Sequence, residues 1–231
     1  MKLSIIIPVY NELQTIGEVM RKVRAVKLGV VSKEVVLVDD SSTDGSREEI
    51  LREQQLDPKT TKVHLSFINL GKGASIRVGL KYATGDIIII QDADLELDPR
   101  EYLTIINPIL EGKADVVYGS RFLKENRNIP LKTRLANSIL TTLTNLLYGT
   151  RLTDMETAYK AFRREVIDGI RLRALEFDIE PEITARIAQR GYRIFEVPIS
   201  YRPRTKESGK KISAFDGIEA VYTLFRCLVR K

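Results

Sequence analysis

Asp86-Ile87-Ile88-Ile89-Ile90-Gln91-Asp92-Ala93-Asp94 decides the fold. Four consecutive β-branched residues, bounded by Gly85 and by acids, form a short strand that is apolar on both faces. Such a strand belongs in the middle of a parallel sheet covered by helices on both sides. Where the apolar run stops, two carboxylates stand two residues apart. Ligands of open α/β sheets bind outside the carboxyl ends of the strands, and paired acids there can hold a divalent cation shared with phosphate oxygens. The plainer reading is a solvated loop with Asp98 capping a helix that begins at Pro99.

Outward from this strand the same grammar repeats. Lys2 to Val9 is a buried strand with Pro8 near its end. Tyr10-Asn11-Glu12 follows, and then a helix with Ile16, Val19, Met20 and Val23 on one face. Tyr10 offers a ring for stacking on a base. Glu34 to Asp39-Asp40 is a second strand that runs into acids, followed by the turn Ser41-Ser42-Thr43-Asp44-Gly45 and a helix from about Ser46. Acids at that position can accept hydrogen bonds from a ribose or a nucleobase. Lys62 to Asn69 reads as a third strand carrying the single histidine, His64, as a packed or edge residue. Gly71-Lys72-Gly73 opens a helix, with glycines that let N–H groups approach a phosphate and Lys72 adding charge. The Walker spacing is absent.

Beyond the central strand, a helix from Pro99 leads to a strand over Ala114–Gly119 with Ser120-Arg121-Phe122 at its exit. Leu135 to Thr150 carries no charge and reads as a covered helix, too short and polar to span a bilayer. Asp154 to Arg164 resumes charged sequence, Phe177 to about Arg190 is helical, and Tyr192 to Val197 is a late strand. A basic loop from Tyr201 to Lys211 precedes a helix from Ile212. Ile212, Phe215, Ile218, Val221, Tyr222, Phe225, Leu228 and Val229 share one face of it, and Asp216, Glu219, Thr223, Arg226 and Arg230 the other. That stripe either docks on the domain or lies in a membrane interface.

The 231 residues suffice for one large α/β domain, taken as 1–211, with 212–231 as a C-terminal amphipathic helix. One cysteine, Cys227, excludes an intrachain disulfide framework and a multi-cysteine metal site. The net charge of +6 is local: residues 200–231 hold eight Lys/Arg against three acids. The tail therefore reads as a local patch for phosphate, nucleic acid or anionic lipid. No basic-then-apolar leader precedes the first strand. The expected location is cytoplasmic, peripheral on the cytoplasmic membrane face if the final helix engages lipid.

Pro8-Val9-Tyr10-Asn11-Glu12, Val38-Asp39-Asp40-Ser41-Ser42-Thr43-Asp44-Gly45, Gly71-Lys72-Gly73, Gln91-Asp92-Ala93-Asp94 and Gly119-Ser120-Arg121-Phe122 resemble the family 2 glycosyltransferases, and within them the dolichol-phosphate mannosyltransferases and other polyprenyl-phosphate glycosyltransferases. The resemblance implies the A-type glycosyltransferase fold, a Rossmann-like, mostly parallel sheet with helices on both faces. It implies that Pro8, Tyr10, Asn11, Glu12, Val38, Asp40, Lys72 and Ala93 surround the donor nucleotide. It makes Asp92, Asp94 and Glu96 the ligands of Mg²⁺ or Mn²⁺, and Arg121 and Arg134 the contacts for donor and acceptor phosphates. Arg204 and Lys211 would close over the diphosphate.

The implied reaction moves a hexose, mannose or glucose, from a nucleotide-diphosphate sugar to a polyprenyl phosphate with inversion. GDP-mannose and UDP-glucose stay equally open as donors. An acceptor that is already an anion needs no general base. A saccharide or small-molecule hydroxyl acceptor would need one, and Glu156 and Glu180 are the two candidates. A non-catalytic nucleotide binder, or a nucleic-acid binder suited to a pI of 9.3, is a further class. Nucleic acid is disfavoured, because the basic loop lacks interleaved aromatics and the sheet-end acids repel phosphates.

Overall fold

The computed structural model describes residues 1–124, 126, 129–204 and 214–229. Among these residues seven strands form one sheet in the order β3-β2-β1-β4-β6-β5-β7: β1 (Lys2–Val9), β2 (Ser32–Asp39), β3 (Thr61–Leu65), β4 (Ile87–Ile90), β5 (Val116–Ser120), β6 (Lys160–Arg163) and β7 (Ile194–Pro198). The helices are α1 (Leu13–Ala25), α2 (Ser46–Leu56), α3 (Lys72–Tyr82), α4 (Tyr102–Leu110), α5 (Leu131–Tyr148), α6 (Arg164–Asp168), α7 (Ile179–Gln189) and α8 (Ala214–Val229). All strand pairs are parallel except those of β6, which runs against both β4 and β5. The mostly parallel, two-sided architecture expected from sequence is the one observed.

Strand pleating explains how four isoleucines serve two layers. Ile87 and Ile89 pack with Ile5 and Ile7 under α1, α2 and α4, whereas Ile88 and Ile90 join Ile6 on the opposite face under α3, α5, α6, α7 and α8. All four are no more than 1% exposed, so β4 is the strand on which both layers close. Pro8 sits one residue before the end of β1, opposite Val38. Its nitrogen points to the side that carries the Gln91 N–H to Ile6 C=O bond, beyond the last β4 pair at Ile6–Ile90, so no ladder bond is lost there. His64 lies on the edge strand β3, with Nδ1 3.2 Å from the Tyr82 hydroxyl, as a packed edge residue does. Asp98 accepts from the Arg100 N–H at 3.0 Å and so caps a 3₁₀ turn over Pro99–Glu101 that leads into α4.

Two sequence expectations are corrected. The charged stretch after Asp154 contains β6, whose first residue, Lys160, is fully buried; Glu180 compensates its charge from α7, a partnership between distant residues. The C-terminal helix docks on α5 and α7, but by the face roughly opposite the expected one. Ala220, Thr223, Leu224 and Cys227 are buried, with the Thr223 hydroxyl and Arg226 donating to Asp178 at 3.1 and 3.3 Å. Phe215, Ile218, Tyr222, Phe225 and Val229 face outward at 79, 66, 64, 48 and 86% exposure. Small side chains allow close approach to α7, and the bulky apolar stripe is left on the surface. Ile212 lies outside the described residues. No helix among the described residues is long and apolar enough to cross a membrane.

Candidate active site

The carboxyl ends of β1, β2 and β4 meet at one rim, where backbone strain and side-chain caps fix the loops. Asn11 and Ser41 hold φ of 49° and 65°, a region that asparagine tolerates better than most residues. The Asn11 side chain accepts from the Thr43 N–H at 2.8 Å, and the Asn11 N–H donates to the Ser42 hydroxyl at 3.0 Å, which zips the β1 and β2 exits together. Tyr10 stands beside this zip, 38% exposed.

At the β2 exit the two aspartates are structural. Buried Asp39 takes the Arg47 guanidinium at 2.8 Å. Asp40 accepts from the N–H groups of Leu70 and Gly71 at 3.0 and 2.7 Å, and so positions the loop that presents Lys72. Gly71 and Gly73 also answer to packing. A Cβ on Gly73 would lie 2.7 Å from the Ala174 carbonyl oxygen, and Gly71 (φ 95°) abuts Leu175 and Glu176. The N-terminus of α3 is therefore covered by residues 174–176, with the Ala74 N–H donating to Leu175 at 2.9 Å. It is not an open phosphate cradle.

At the β4 exit the acids are paired one by one. Lys72 bridges Asp92 (2.7 Å) and Glu180 (3.1 Å), and buried Lys160 binds the other Glu180 oxygen and the Met155 carbonyl. Burial opposes ionisation of Glu180, yet the two ammonium groups beside it hold its carboxyl below the ordinary range. Arg204 forks between Glu12, at 2.9 and 3.1 Å, and Asp94, at 2.5 Å. Burial, with the charges of Asp92 and Glu96, nevertheless pushes Asp94 up to about 7. Ala93 contributes its carbonyl to the Thr15 hydroxyl at 2.9 Å. Val38 is buried in the sheet beneath the rim.

Glu96, expected as a third metal ligand, also has protein partners. One of its oxygens accepts from the Tyr201 hydroxyl at 2.9 Å and the other from the Arg204 N–H at 2.7 Å. Its carboxylate anchors the segment carrying Arg204. Among the described residues no three His, Cys, Asp or Glu side chains are gathered as a metal-ligand set. Lys211 lies outside the described residues.

Arg121 is held by a fork to fully buried Asp154, both bonds at 2.7 Å, and lies 5.1 Å from the Tyr201 ring centroid. Glu156, close enough to feel the charges of Lys160, Glu180 and Arg121, is driven up to about 7 by burial, and its Oε1 is buried without a hydrogen-bond partner. Exposed Arg134 lines a separate cavity of about 290 Å³ with Phe122, Asn137, Ser138, Thr141 and Thr153. Asn137, 4% exposed, has its Oδ1 buried and unpartnered there. Thr153 ties this cavity to the β5 exit through Ser120 at 2.6 Å. Lys160, Asp154, Tyr201 and Asn137 were missed from sequence. Only a buried charge seeking a partner could have signalled the first two, and no local pattern marks the others.

Among the described residues the rim thus gathers seven carboxylates (Glu12, Asp92, Asp94, Glu96, Asp154, Glu156 and Glu180) and four cationic side chains (Lys72, Arg121, Lys160 and Arg204). Asp94 and Glu156, both raised to about 7, carry only part of their negative charge at neutral pH, and hard oxygen donors are of the kind that suits Mg²⁺ or Mn²⁺.

A family model described as Glycosyl transferase family 2 matches residues 4–171. The chain is 33% identical over 230 residues to undecaprenyl-phosphate 4-deoxy-4-formamido-L-arabinose transferases of Salmonella paratyphi A and Salmonella dublin, covering 98% of this chain and 67% of each relative. Among solved structures it superposes on glucosyl-3-phosphoglycerate synthase of Mycobacterium tuberculosis in complex with UDP (TM-score 0.77, 19% identity, 100% of this chain and 81% of that one). It also superposes on mannosyl-3-phosphoglycerate synthase of Rubrobacter xylanophilus (TM-score 0.74, 17% identity, 100% and 73%). At such identities the superpositions establish the fold.

Proposed function

Because the chain belongs to glycosyltransferase family 2 and is a glycosyltransferase, we propose that it transfers a sugar from a nucleotide-diphosphate donor to a polyprenyl phosphate at a membrane surface. The observation that carries the acceptor half is the placement of apolar surface. Leu131, Leu135 and Ile139 of α5 are 80, 61 and 58% exposed on the helix that also presents Arg134 and the buried Asn137 oxygen. The outward stripe of α8, which contacts α5, adds to it. A phosphate met by Arg134 and Arg121 would then have its hydrocarbon tail beside apolar helix faces.

On the donor side, Asp92 and Asp94 would hold Mg²⁺ or Mn²⁺, and their hard oxygen donors fit such an ion. The ion, when bound, would neutralise charge on the departing diphosphate. Arg204 would move from Glu12 and Asp94 to the diphosphate, where a forked guanidinium suits phosphate oxygens. Lys72 would hold Asp92 in register, and Tyr10 would stack on the base. Lys160 would keep Glu180 ionised under Lys72. A phosphate acceptor attacks without base assistance, so these residues position and neutralise instead of moving protons. The sugar is a hexose or, after the Salmonella relatives, a modified pentose.

A second reading rests on Glu156. A carboxyl near 7 with an unpartnered oxygen is suited to take a proton from a hydroxyl acceptor. The deciding experiment offers a panel of nucleotide sugars with Mn²⁺ and either a short polyprenyl phosphate or a saccharide. Glycolipid product supports the first reading; transfer only to the saccharide overturns it.

A further inference from the structure

Gln91 stands between the last isoleucine of β4 and Asp92, and it is fully buried. Its side-chain oxygen accepts from two tyrosine hydroxyls, Tyr102 at 2.9 Å and Tyr159 at 2.6 Å. Its side-chain nitrogen donates to the Asp92 carbonyl at 2.9 Å. Both tyrosines are fully buried in the core layer that includes Ile87 and Ile89, with ring centroids 6.0 Å apart. These partners fix which way the amide faces. A main-chain carbonyl can only accept, so the nitrogen turns to Asp92 and the oxygen to the hydroxyls. Burial holds both phenols well above their ordinary range, so both stay protonated and donate.

Apolar side chains would fill the same space without desolvating an amide and two hydroxyls. What the polar arrangement adds is a hold on one peptide plane, because the bonded carbonyl belongs to the peptide that links Asp92 to Ala93. The next carbonyl, that of Ala93, is held by the Thr15 hydroxyl at 2.9 Å, and the Asp94 carboxylate takes the Glu96 N–H at 3.0 Å.

The two braces come from distant parts of the chain. Tyr102 opens α4. Tyr159 precedes β6, and its carbonyl accepts from the N–H of Gly119, two residues before Arg121, at 2.8 Å. The residue after it, Lys160, reaches the same aspartate by a second route, through Glu180 and Lys72 to the Asp92 carboxylate. Two adjacent residues thus hold Asp92 twice, Tyr159 through its main chain and Lys160 through its side chain.

We propose that Gln91, braced by Tyr102 and Tyr159, is a positioning residue that fixes the Asp92–Ala93 peptide so that Asp92 and Asp94 present their carboxylates together. The proposal rests on the reading that these two acids take a divalent cation with the donor diphosphate. Without the amide the peptide is free to turn, and two carboxylates that must meet one ion lose their set spacing.

The test measures how much Mn²⁺ nucleotide binding requires. UDP and GDP are titrated by calorimetry into the full chain, in chelator and at a series of Mn²⁺ concentrations, with urea unfolding recorded for each protein. The variants are Gln91→Met, Tyr159→Phe and the two combined. Methionine keeps the length and much of the volume of glutamine but makes no bond to the carbonyl. Ile187→Val, a buried methyl deletion seven residues beyond Glu180 on α7, controls for lost stability alone.

Gln91→Met should raise the half-saturating Mn²⁺ concentration about tenfold, the factor of one lost hydrogen bond. Tyr159→Phe, which leaves Tyr102 bracing the amide, should raise it about threefold. Combined with Gln91→Met, the tyrosine change should add nothing, because its hydroxyl acts on Asp92 only through the amide. Ile187→Val should match wild type. A requirement in Gln91→Met within twofold of wild type overturns the proposal and leaves the cation reading standing. So does a tyrosine effect that multiplies with that of Gln91→Met, or an equal rise in Ile187→Val. A wild type that binds neither nucleotide, or binds as well in chelator, overturns the cation reading and the proposal with it. Should Gln91→Met not fold, Tyr102→Phe with Tyr159→Phe strips both braces from an intact amide and replaces it, with the same tenfold expectation and the same twofold limit.

Discussion

Replacing Glu156 with glutamine tests the electrostatics of the rim and the nature of the acceptor together. Burial raises this carboxyl from the usual 4.5 to about 7, with Glu180 and Asp154 adding repulsion that Lys160 and Arg121 only partly offset. A raised carboxyl binds its proton more tightly in the native state. Below pH 4.5 both native and unfolded chains are protonated, and no penalty exists. As pH rises towards 7 the unfolded chain gains from ionising while the native one does not, so stability falls by about 3 kcal/mol and then levels off. Glutamine removes the ionisation. Glu156→Gln should therefore be more stable than wild type at pH 8, by roughly 2–3 kcal/mol, and equal to it near pH 4. Urea denaturation at the two pH values measures this. A variant equally destabilised at both would refute the burial argument. The same protein separates the two acceptor readings: turnover with a polyprenyl phosphate should persist, whereas a hydroxyl acceptor that uses Glu156 as base should lose about 10²-fold or more.

Two further variants probe the rim's scaffold and the outer helix. Gly71→Ala would place a Cβ 2.5 Å from the Leu175 carbonyl oxygen at a φ of 95°. It should cost about 2 kcal/mol or more in thermal unfolding and weaken donor binding through Lys72; an unchanged melting temperature would show that the 174–176 strap yields freely. Ile218→Asn with Phe225→Asn alters only outward side chains. Stability should stay within about 0.5 kcal/mol, while vesicle affinity drops at least about tenfold as apolar burial in lipid is lost. Unaltered vesicle binding would remove α8 from the membrane-contact argument.

Much of this architecture can be read from local sequence, because local sequence encodes it. The isoleucines of β4, the acids at the ends of β2 and β4 and the α1 stripe each carry a period or a boundary that a single segment displays. What stays hidden depends on partners far along the chain. Nothing local marks Lys160 as buried, because its partner Glu180 lies twenty residues away. That Asp40 and Glu96 also anchor backbone, the 70–71 turn and the Arg204 segment, is invisible locally, because the N–H groups they meet lie about 30 and 108 residues further on. In α8 the apolar stripe is plain, but which face docks is set by the small residues that α7 accepts, and that choice reverses the simplest inference from amphipathicity.

The central claim is that Asp92 and Asp94 bind a divalent cation which carries the donor diphosphate, with Arg204 released from Asp94 to meet it. Calorimetric titration of UDP and GDP into wild type and Asp94→Asn, with Mn²⁺ and with chelator, tests it most directly. The account predicts binding of one nucleotide by the wild type that needs Mn²⁺, and none by a folded Asp94→Asn. Equal binding in chelator, or Mn²⁺-dependent binding undiminished in Asp94→Asn, would contradict it.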